Sequence, residues 1–443
     1  MTRVLGFLTV ALAVVLAACA PATRPIALLP GEIGESRGAS SPIEHVVILV
    51  QENRSFDNLF ATYKGADGAR YGTTHDGRRV PLVPKPLATR FVIDHTYRDY
   101  RAAYDSGKMD GFDLEEINGG THQAHLVPYA YVAPFQIKPY FDLANQYVLA
   151  DRLFQTQGSG SFVAHQDLIA GSALFNSTYS LVDSPSNAPW GCDAPPDTVT
   201  SLIDKGGKYL ASKGPFPCFN YPTLAHEFYD KGLSWKYYTP PLLAPGSTGI
   251  LWNAFDAIYD VRYLQWNHVS VPETNVLSDI AKRQLPAVAW VIPDAVNSDH
   301  PGYGRDTGPS WVTSIVNAIG KSKYWKSTAI VVVWDDWGGF YDHVPPPQLG
   351  FGGLGFRVPM LVISPYAKRG YVSHAQYEFA SIVKFVEETF GLGRLGDNDR
   401  RARSIGDVFD FTQSPRRFVP IAAKYPQSYF EREKPSLQPV DDQ

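Results

Sequence analysis

The sequence has few cysteines, no excess of basic charge and no internal repeat. Its three cysteines among 443 residues form no CxxC pair, so a cysteine-based metal site or reactive thiol is not indicated. Lys and Arg total 40 against 44 Asp and Glu, a net charge of −4. That balance offers no basic face for nucleic acid, which we exclude as a partner. With 44% hydrophobic and 19% charged residues, the composition is that of an ordinary globular protein with an ample core.

The amino-terminal apolar run, residues 4–18, is too short to span a bilayer comfortably and has the character of a secretory signal. The sequence LAAC that ends at Cys19 resembles a bacterial lipobox. We therefore expect removal of residues 1–18, lipidation of Cys19 and a flexible tether over 19–42, rich in Pro, Gly and Ser. An ordinary signal peptide with an incidental cysteine is the alternative. Either pattern predicts export, to the periplasm or the cell surface.

Cys192 and Cys218 remain once Cys19 is assigned to lipidation. An even pair of cysteines in an exported protein predicts a disulfide. On the chain-entropy model, this bond would close a loop of about 25 residues and contribute about 3 kcal/mol of stability.

Apolar runs predict a series of buried strands, at residues 43–50, 147–151, 233–238, 287–292, 330–334 and 358–364. Helical apolar spacing covers 162–170 and 377–390. Strands that alternate with helices predict an α/β fold with a mostly parallel sheet and helices on both faces. We expect a catalytic domain over 43–415 and a tail over 416–443. The aromatic-rich stretches 60–145 and 180–232 are expected to be insertions that cap a site.

Polar, oxygen-rich clusters follow three of these strands. They contain Glu52 and Asn53, then Ser159 and Ser161, then Asp335 and Asp336. If the three strands are parallel neighbours, these side chains converge on the sheet edge where ligands bind in α/β folds. Such oxygen ligands favour Ca²⁺, Mg²⁺ or Mn²⁺, with Zn²⁺ less favoured when Cys and His are absent. A cation would also offset the repulsion between adjacent carboxylates. A solvated Asp-Asp turn is the simpler alternative.

Histidines could supply a proton donor near neutral pH. The candidates are His95, His300 and His343, and each follows an aspartate that could orient its ring. His300 has the best context, because it lies just past the strand 287–292. A loop histidine without a chemical role is the alternative for each.

Several separated motifs together resemble the bacterial phosphoesterase family of non-haemolytic phospholipases C and acid phosphatases. They are ENRSFD at 52–57, ADRLF at 150–154, SDHP at 298–301, DDWGGFYDHVPP at 335–346 and RVPMLVISPY at 357–366. Any one of these motifs would be weak evidence for the family, but five separated motifs in the family's order are hard to obtain by chance.

The resemblance implies an alkaline-phosphatase-like α/β sandwich that hydrolyses phosphoesters, phospholipids among them, through a metal-bound Ser or Thr. It implies one divalent metal ion held by Glu52, Asn53, Ser161, Asp335 and Asp336. Ser161 would be the nucleophile, and His300 and His95 would contact the phosphoryl group. Whether the substrate is a monoester or a diester is not determined by these motifs.

Two departures from the family pattern are visible. The nucleophile loop, GSFVAH at 160–165, lacks the prolines and the Pro-Asn pair usual there, which keeps Ser159 as a rival to Ser161. Phe379 stands where the family often has a histidine. A non-catalytic surface lipoprotein that uses the same fold for binding is the competing hypothesis, since a fold does not determine activity.

Overall fold

The computed structural model of the protein describes residues 41–242 and 246–434. The signal segment 1–18, the lipidation site Cys19 and nearly all of the tether 19–42 lie outside these residues, so their roles stay predictions. Within the described ranges, no helix is long and apolar enough to cross a membrane.

The secondary structure alternates strands and helices along the chain. The strands are β1 (His45–Gln51), β2 (Tyr71–Thr73), β3 (Arg79–Pro81), β4 (Val83–Lys85), β5 (Glu116–Ile117), β6 (His122–Gln123), β7 (Ala130–Val132), β8 (Val148–Phe154), β9 (Tyr179–Val182), β10 (Ser201–Asp204), β11 (Tyr209–Leu210), β12 (Trp235–Tyr238), β13 (Val269–Ser270), β14 (Val288–Val291), β15 (Thr328–Trp334), β16 (Arg357–Ile363), β17 (Tyr371–Ser373) and β18 (Tyr377–Glu378). The α-helices are α1 (Phe56–Phe60), α2 (Tyr97–Tyr104), α3 (Lys138–Gln146), α4 (Ser161–Ala170), α5 (Leu224–Lys231), α6 (Gly249–Trp252), α7 (Tyr259–Leu264), α8 (Asn275–Lys282), α9 (Gly308–Lys321), α10 (Phe379–Phe390), α11 (Asp397–Arg401) and α12 (Gln427–Phe430).

The central sheet has the strand order β13-β12-β14-β1-β15-β16-β8-β17, and β18 also pairs with β8. Among the described strands of this central sheet, only the two pairings of β16, with β15 and with β8, are antiparallel; the others are parallel. Strands β15 and β16 are buried along their whole length, as expected for apolar strands covered on both faces. The predicted α/β fold with a mostly parallel sheet is confirmed.

The carboxyl ends of β1 and β15 lie side by side. The register pairs Gln51 with Trp334, so the residues that follow, Glu52 and Asp335, leave the sheet at the same level. Strand β8 runs in the same direction, but β16 lies between it and β15. The expectation of three neighbouring parallel strands is therefore correct for β1 and β15 and wrong for β8, because β16 inserts as an antiparallel strand.

Helix α4 follows the Gly/Ser loop after β8 and is buried at every residue. It packs against α10, and the two helices correspond to the predicted helical stretches 162–170 and 377–390. Helix α4 ends at Gly171, whose φ of 69° is in the left-handed region. Glycine adopts that conformation without a Cβ penalty, which gives the helix a defined end.

The two aromatic-rich insertions form small sheets of their own, β2–β3, β4–β7, β5–β6 and β9–β10–β11. The first insertion also builds a second aromatic core: Phe112 packs on Trp337 with ring centroids 5.8 Å apart, and Trp337 packs on Phe356 at 4.8 Å. Trp337 directly follows Asp336, so this core supports the turn after β15.

The disulfide prediction is confirmed, since Cys192 and Cys218 are bonded with their Cα atoms 4.5 Å apart. The described part of the predicted tail, residues 416–434, lies against the domain. Phe418 and Phe430 are buried in the main core, and the backbone carbonyl of Arg416 accepts a hydrogen bond from Trp325 Nε1 at 2.7 Å.

A buried ion network ties α1 to the turn after β15. The Arg357 guanidinium donates to the Asp342 carboxylate at 2.8 and 3.0 Å, and its Nη2 lies 3.4 Å from Asp57 Oδ1. His343 Nδ1 lies 2.7 Å from Asp57 Oδ2. Asp57, Asp342 and His343 could by distance hold a metal, but Arg357 already pairs with both carboxylates and His343 pairs with Asp57. We therefore interpret this cluster as structural.

Removal of the Arg357 charge should destabilise the fold. In Arg357→Met, two buried carboxylates lose their counter-ion, and we expect the free energy of unfolding in urea to fall by about 3–5 kcal/mol. The double variant Arg357→Met/Asp342→Asn should recover part of that loss, because one uncompensated charge is gone. Arg403→Met, which breaks an exposed pair with Asp407, should cost less than about 1 kcal/mol. Equal losses in Arg357→Met and Arg403→Met would contradict the structural role.

Candidate active site

Four polar residues meet where β1 and β15 end. The backbone N–H of Asn53 donates to Asp335 Oδ1 at 3.0 Å, and its Nδ2 donates to both Asp336 carboxylate oxygens at 3.1 Å. The Glu52 carboxyl lies beside that of Asp335. All four side chains are 0% exposed. The structure thus brings together the strand-end residues that the sequence predicted as metal ligands.

Two backbone conformations allow this convergence. Asn53 has a φ of 56°, a left-handed conformation that Asn tolerates better than most residues and that is often found at functional sites. Gly338, two residues past Asp336, has a φ of 59°, and a Cβ there would lie 2.2 Å from the carbonyl oxygen of Asn53. Only glycine fits this turn, so the close approach of the two strand ends depends on it.

Ser161 reaches the same cluster as the first residue of α4. Its hydroxyl donates to Asp336 Oδ2 at 3.0 Å and accepts from Asn53 Nδ2 at 3.3 Å. The rival Ser159 has a different partner, because its Oγ accepts from the backbone N–H of Asp183 at 2.7 Å. The helix amino terminus also presents free backbone N–H groups, which favour an anion beside Ser161.

Both predicted phosphoryl-contacting histidines are buried near this cluster. His95 Nε2 lies 2.9 Å from Asn53 Nδ2 and 3.6 Å from Asp336 Oδ2. His300 stacks on Trp252 with ring centroids 5.7 Å apart. Burial is the main cause that lowers the pKa of His300 to about 3; the hydrogen bond to the Pro301 carbonyl opposes this shift, and the charges of His95 and Arg54 contribute to it. His300 is therefore neutral in the substrate-free protein.

The expectation that a preceding aspartate orients each ring is wrong for His300 and His343. His300 Nδ1 lies 2.5 Å from the carbonyl oxygen of Pro301, while the Asp299 carboxylate accepts from Tyr140. His343 bonds to Asp57 in the structural network and does not join the cluster. The Nδ1 atom of the remaining candidate, His95, lies 2.7 Å from the carbonyl oxygen of Ile93. A backbone carbonyl requires Nδ1–H, so His95 and His300 keep Nε2 for other partners.

Sequence reasoning missed His165, which lies within the cluster. Its Nε2 is 2.9 Å from Glu52 Oε1 and 3.8 Å from Asp335 Oδ2. The signal was its spacing, since residues 161 and 165 are four apart on one helix and share a face. Which neighbour that face meets depends on tertiary packing.

The surroundings of the cluster disfavour the ionised form of its carboxyl groups. Burial raises the pKa of Asp335, and the neighbouring charges of Asp336 and Glu52 raise it further. Burial likewise raises the pKa of Glu52 and of Asp336. Burial lowers the pKa of His165, although Asp335 and Asp336 oppose that shift. The protein alone therefore supplies too little positive charge to keep three buried carboxylates ionised.

A divalent cation fits this donor set. Glu52 Oε2, Asn53 Oδ1 and Asp335 Oδ2 are buried and accept no hydrogen bond from any residue in the described ranges. Buried polar atoms normally have a partner, so three such oxygens at adjoining strand ends are suited to binding a ligand. A cation would satisfy these oxygens and offset the repulsion between the carboxylates.

A cleft of about 700 Å³ opens beside the loop that precedes α4, with Gly160 in its wall. Its charged lining is mainly acidic and consists of Asp94, Arg98, Asp99, Glu116 and Asp183. Such a wall attracts cationic groups and repels anionic ones.

Comparison with known proteins agrees with the motif pattern. Phospholipase C A of Mycobacterium tuberculosis is 28% identical over 439 aligned residues, which cover 87% of this chain and 81% of that protein. Non-hemolytic phospholipase C of Pseudomonas aeruginosa is 25% identical over 446 residues, covering 84% of this chain and 57% of that protein. A solved structure from Vibrio parahaemolyticus, described as a member of the alkaline phosphatase superfamily, aligns at 11% identity with a TM-score of 0.40, covering 84% of this chain and 72% of the other.

A model of the Phosphoesterase family matches residues 43–393. The matched range begins at the predicted start of the catalytic domain and includes both strand ends, the serine loop and the buried histidines. Because it spans most of the chain, the protein belongs to the Phosphoesterase family and is a hydrolase of phosphoric esters.

Proposed function

We propose that this protein is a metal-dependent phosphoesterase in which Ser161 is the nucleophile. The observation that carries the proposal is the hydrogen bond from Ser161 Oγ to Asp336 Oδ2, at 3.0 Å. It places a hydroxyl on a helix amino terminus and beside a set of unpartnered buried oxygens. Each of these features suits attack on a phosphoryl group.

Ser161 begins the reaction by attacking phosphorus in line with the leaving oxygen. Its Oγ–P bond forms as the bond from phosphorus to the leaving oxygen breaks; the Oγ–H proton passes along its hydrogen bond to Asp336 Oδ2, and the leaving oxygen takes a proton from a protonated histidine or from solvent. Water then attacks the phosphoserine and loses a proton to solvent or histidine, the Oγ–P bond breaks, and Ser161 Oγ takes back the proton from Asp336, which restores the hydroxyl. The N–H groups at the start of α4 face the charge on the phosphoryl oxygens.

Glu52, Asn53, Ser161, Asp335 and Asp336 would hold the metal ion. When bound, it supplies a positive charge that lowers the pKa of a serine hydroxyl and polarises a phosphoryl oxygen. The buried surroundings of these residues exclude water, which strengthens every electrostatic interaction in the site.

His300 and His95 would contact the phosphoryl group through Nε2, because Nδ1 of each ring is bonded to a backbone carbonyl. A bound phosphoryl anion favours the protonated form of a nearby imidazole, against the burial that keeps His300 neutral without substrate. The protonated ring can then donate to a phosphoryl or leaving oxygen.

The cleft favours a phosphodiester as substrate. Gly160, the residue before Ser161, lies in the wall of this cleft of about 700 Å³, so we expect the second ester group of the substrate to lie there. The acidic wall favours a cationic or neutral group. A phospholipid head group meets this description, and relatives named phospholipase C are consistent with it. Export and lipidation at Cys19 would place the enzyme at a membrane surface.

Ser161→Ala should lower kcat by about 10³-fold or more, because the attacking atom is lost. Stability should change little, since the substitution removes only one hydroxyl. Ser159→Ala is the matched control, and it should keep kcat within about tenfold because its hydroxyl contacts only loop backbone. Acid-quenched wild-type enzyme should yield a phosphopeptide containing Ser161 by mass spectrometry. Reversed effects of the two variants would assign the nucleophile to Ser159, and folded, metal-loaded wild type without turnover would favour the non-catalytic lipoprotein.

Substrate charge should control specificity. We expect a higher kcat/KM for p-nitrophenylphosphorylcholine than for p-nitrophenyl phosphate, with a ratio that falls as salt screens the acidic wall. Glu116→Gln should reduce the ratio, and Glu388→Gln, which removes an exposed carboxylate outside the cleft lining, should not. A monoester preference that is independent of salt would contradict the diester assignment.

Metal removal should affect both activity and stability. Chelation should abolish turnover and lower Tm, because a ligand at 100 times its Kd stabilises the folded state by about 2.7 kcal/mol. Asp335→Asn and Asp336→Asn should each reduce metal content, since an amide offers an oxygen without the charge. Asp397→Asn changes an exposed aspartate and should respond to chelator as the wild type does. Equal metal content and activity in all four proteins would show that neither Asp335 nor Asp336 binds the metal.

A further inference from the structure

We infer that His165 is a metal ligand, so that the metal centre has mixed nitrogen and oxygen donors and selects a transition metal over Ca²⁺ or Mg²⁺. The inference deepens the proposed function and rests on its metal site. It assigns a nitrogen donor that the sequence-based ligand set, made only of oxygens, does not contain.

His165 lies close enough to Glu52 and Asp335 for the three side chains to share one metal ion. One ligand atom each from Glu52, His165 and Asp335 lies within 4.8 Å of the other two. His165 is 2% exposed and both carboxylates are 0% exposed, so solvent does not compete for this space. Glu52 Oε2 and Asp335 Oδ2 have no hydrogen-bond partner among the residues that the structure describes. The imidazole therefore borders the same oxygens that indicated a cation.

The His165 imidazole is also held rigidly in its position. His165 lies on α4 four residues after Ser161, so the helix presents the imidazole and the nucleophile on one face. The ring is parallel to Trp252, with an interplanar angle of 6° and centroids 6.4 Å apart. Since α4 is buried at every residue, the imidazole has little freedom to turn away from Glu52. A ligand held in this way loses little entropy when a metal binds.

The consequence concerns metal identity. The expectation of Ca²⁺, Mg²⁺ or Mn²⁺ assumed that no histidine stood among the ligands. Imidazole suits Zn²⁺, Fe²⁺ and their neighbours, and affinity for nitrogen-containing sites rises along the first transition row. Ca²⁺ and Mg²⁺ prefer oxygen ligands alone. With His165 included, the site should bind Zn²⁺ more tightly than Mn²⁺ and either ion more tightly than Mg²⁺.

The test is pulsed EPR of the full-length protein loaded with one equivalent of Mn²⁺. Wild type should show ¹⁴N modulation from a directly bound imidazole, and His165→Gln should lose it. His122→Gln removes an imidazole in the exposed strand β6 and should keep the modulation. By calorimetry, His165→Gln should bind Zn²⁺ at least about tenfold more weakly. Loss of a residue that only orients a metal ligand already costs about tenfold in affinity, and loss of a ligand should cost at least as much.

Wild-type protein with bound Mn²⁺ but without ¹⁴N modulation would overturn the inference, and this result does not depend on whether His165→Gln folds. His165 would then only donate a hydrogen bond to Glu52, while metal-dependent hydrolysis would still stand. Conversely, a ¹⁴N signal in protein that hydrolyses no phosphoester would retain the ligand assignment and refute the proposed function. Failure to bind either Mn²⁺ or Zn²⁺ would refute both.

Discussion

The structure depends on the mutual repulsion of three buried carboxylates, Glu52, Asp335 and Asp336. Two adjoining parallel strands deliver them to one sheet edge, and burial raises the pKa of each. Unpaired charges in such a place are strongly unfavourable. Hydrogen bonds from the Asn53 side-chain amide stabilise Asp336. Glu52 Oε2 and Asp335 Oδ2 accept no hydrogen bond from the described residues and are suited to a cation. A metal bound here would stabilise the folded protein by offsetting this repulsion. Metal binding would therefore be coupled both to stability and to the chemistry of the site.

A second acidic cluster nearby shows what a different counter-ion does. Asp57 and Asp342 are also buried, but Arg357 from β16 donates short hydrogen bonds to Asp342, and His343 Nδ1 lies 2.7 Å from Asp57. That cluster is internally satisfied and ties α1 to the turn after β15, so it holds the site in shape. The two clusters differ in this respect: the acids paired with Arg357 and His343 are structural, whereas Glu52 and Asp335 each have an oxygen that accepts no hydrogen bond from the described residues and is suited to a cation.

Much of this arrangement is predictable because it is local in sequence. An apolar β-branched run followed by Asp335-Asp336 defines a strand end wherever that strand lies, and a Gly/Ser loop before apolar helical spacing places Ser161 at a helix start. Non-local features were not predictable. The antiparallel insertion of β16 depends on the pairing of distant segments, and the carbonyl partners of His95 and His300 depend on loop conformation. The contact of His165 with Glu52 requires the packing of α4 against the end of β1.

The central claim is that the ends of β1 and β15 form one metal centre beside Ser161. Anomalous diffraction from crystals loaded with Mn²⁺ tests it most directly. The account predicts one strong peak bounded by Glu52, Asn53, Asp335 and Asp336. A peak among Asp57, Asp342 and His343 instead, or no peak at the strand ends in crystals whose dissolved protein is active, would contradict it.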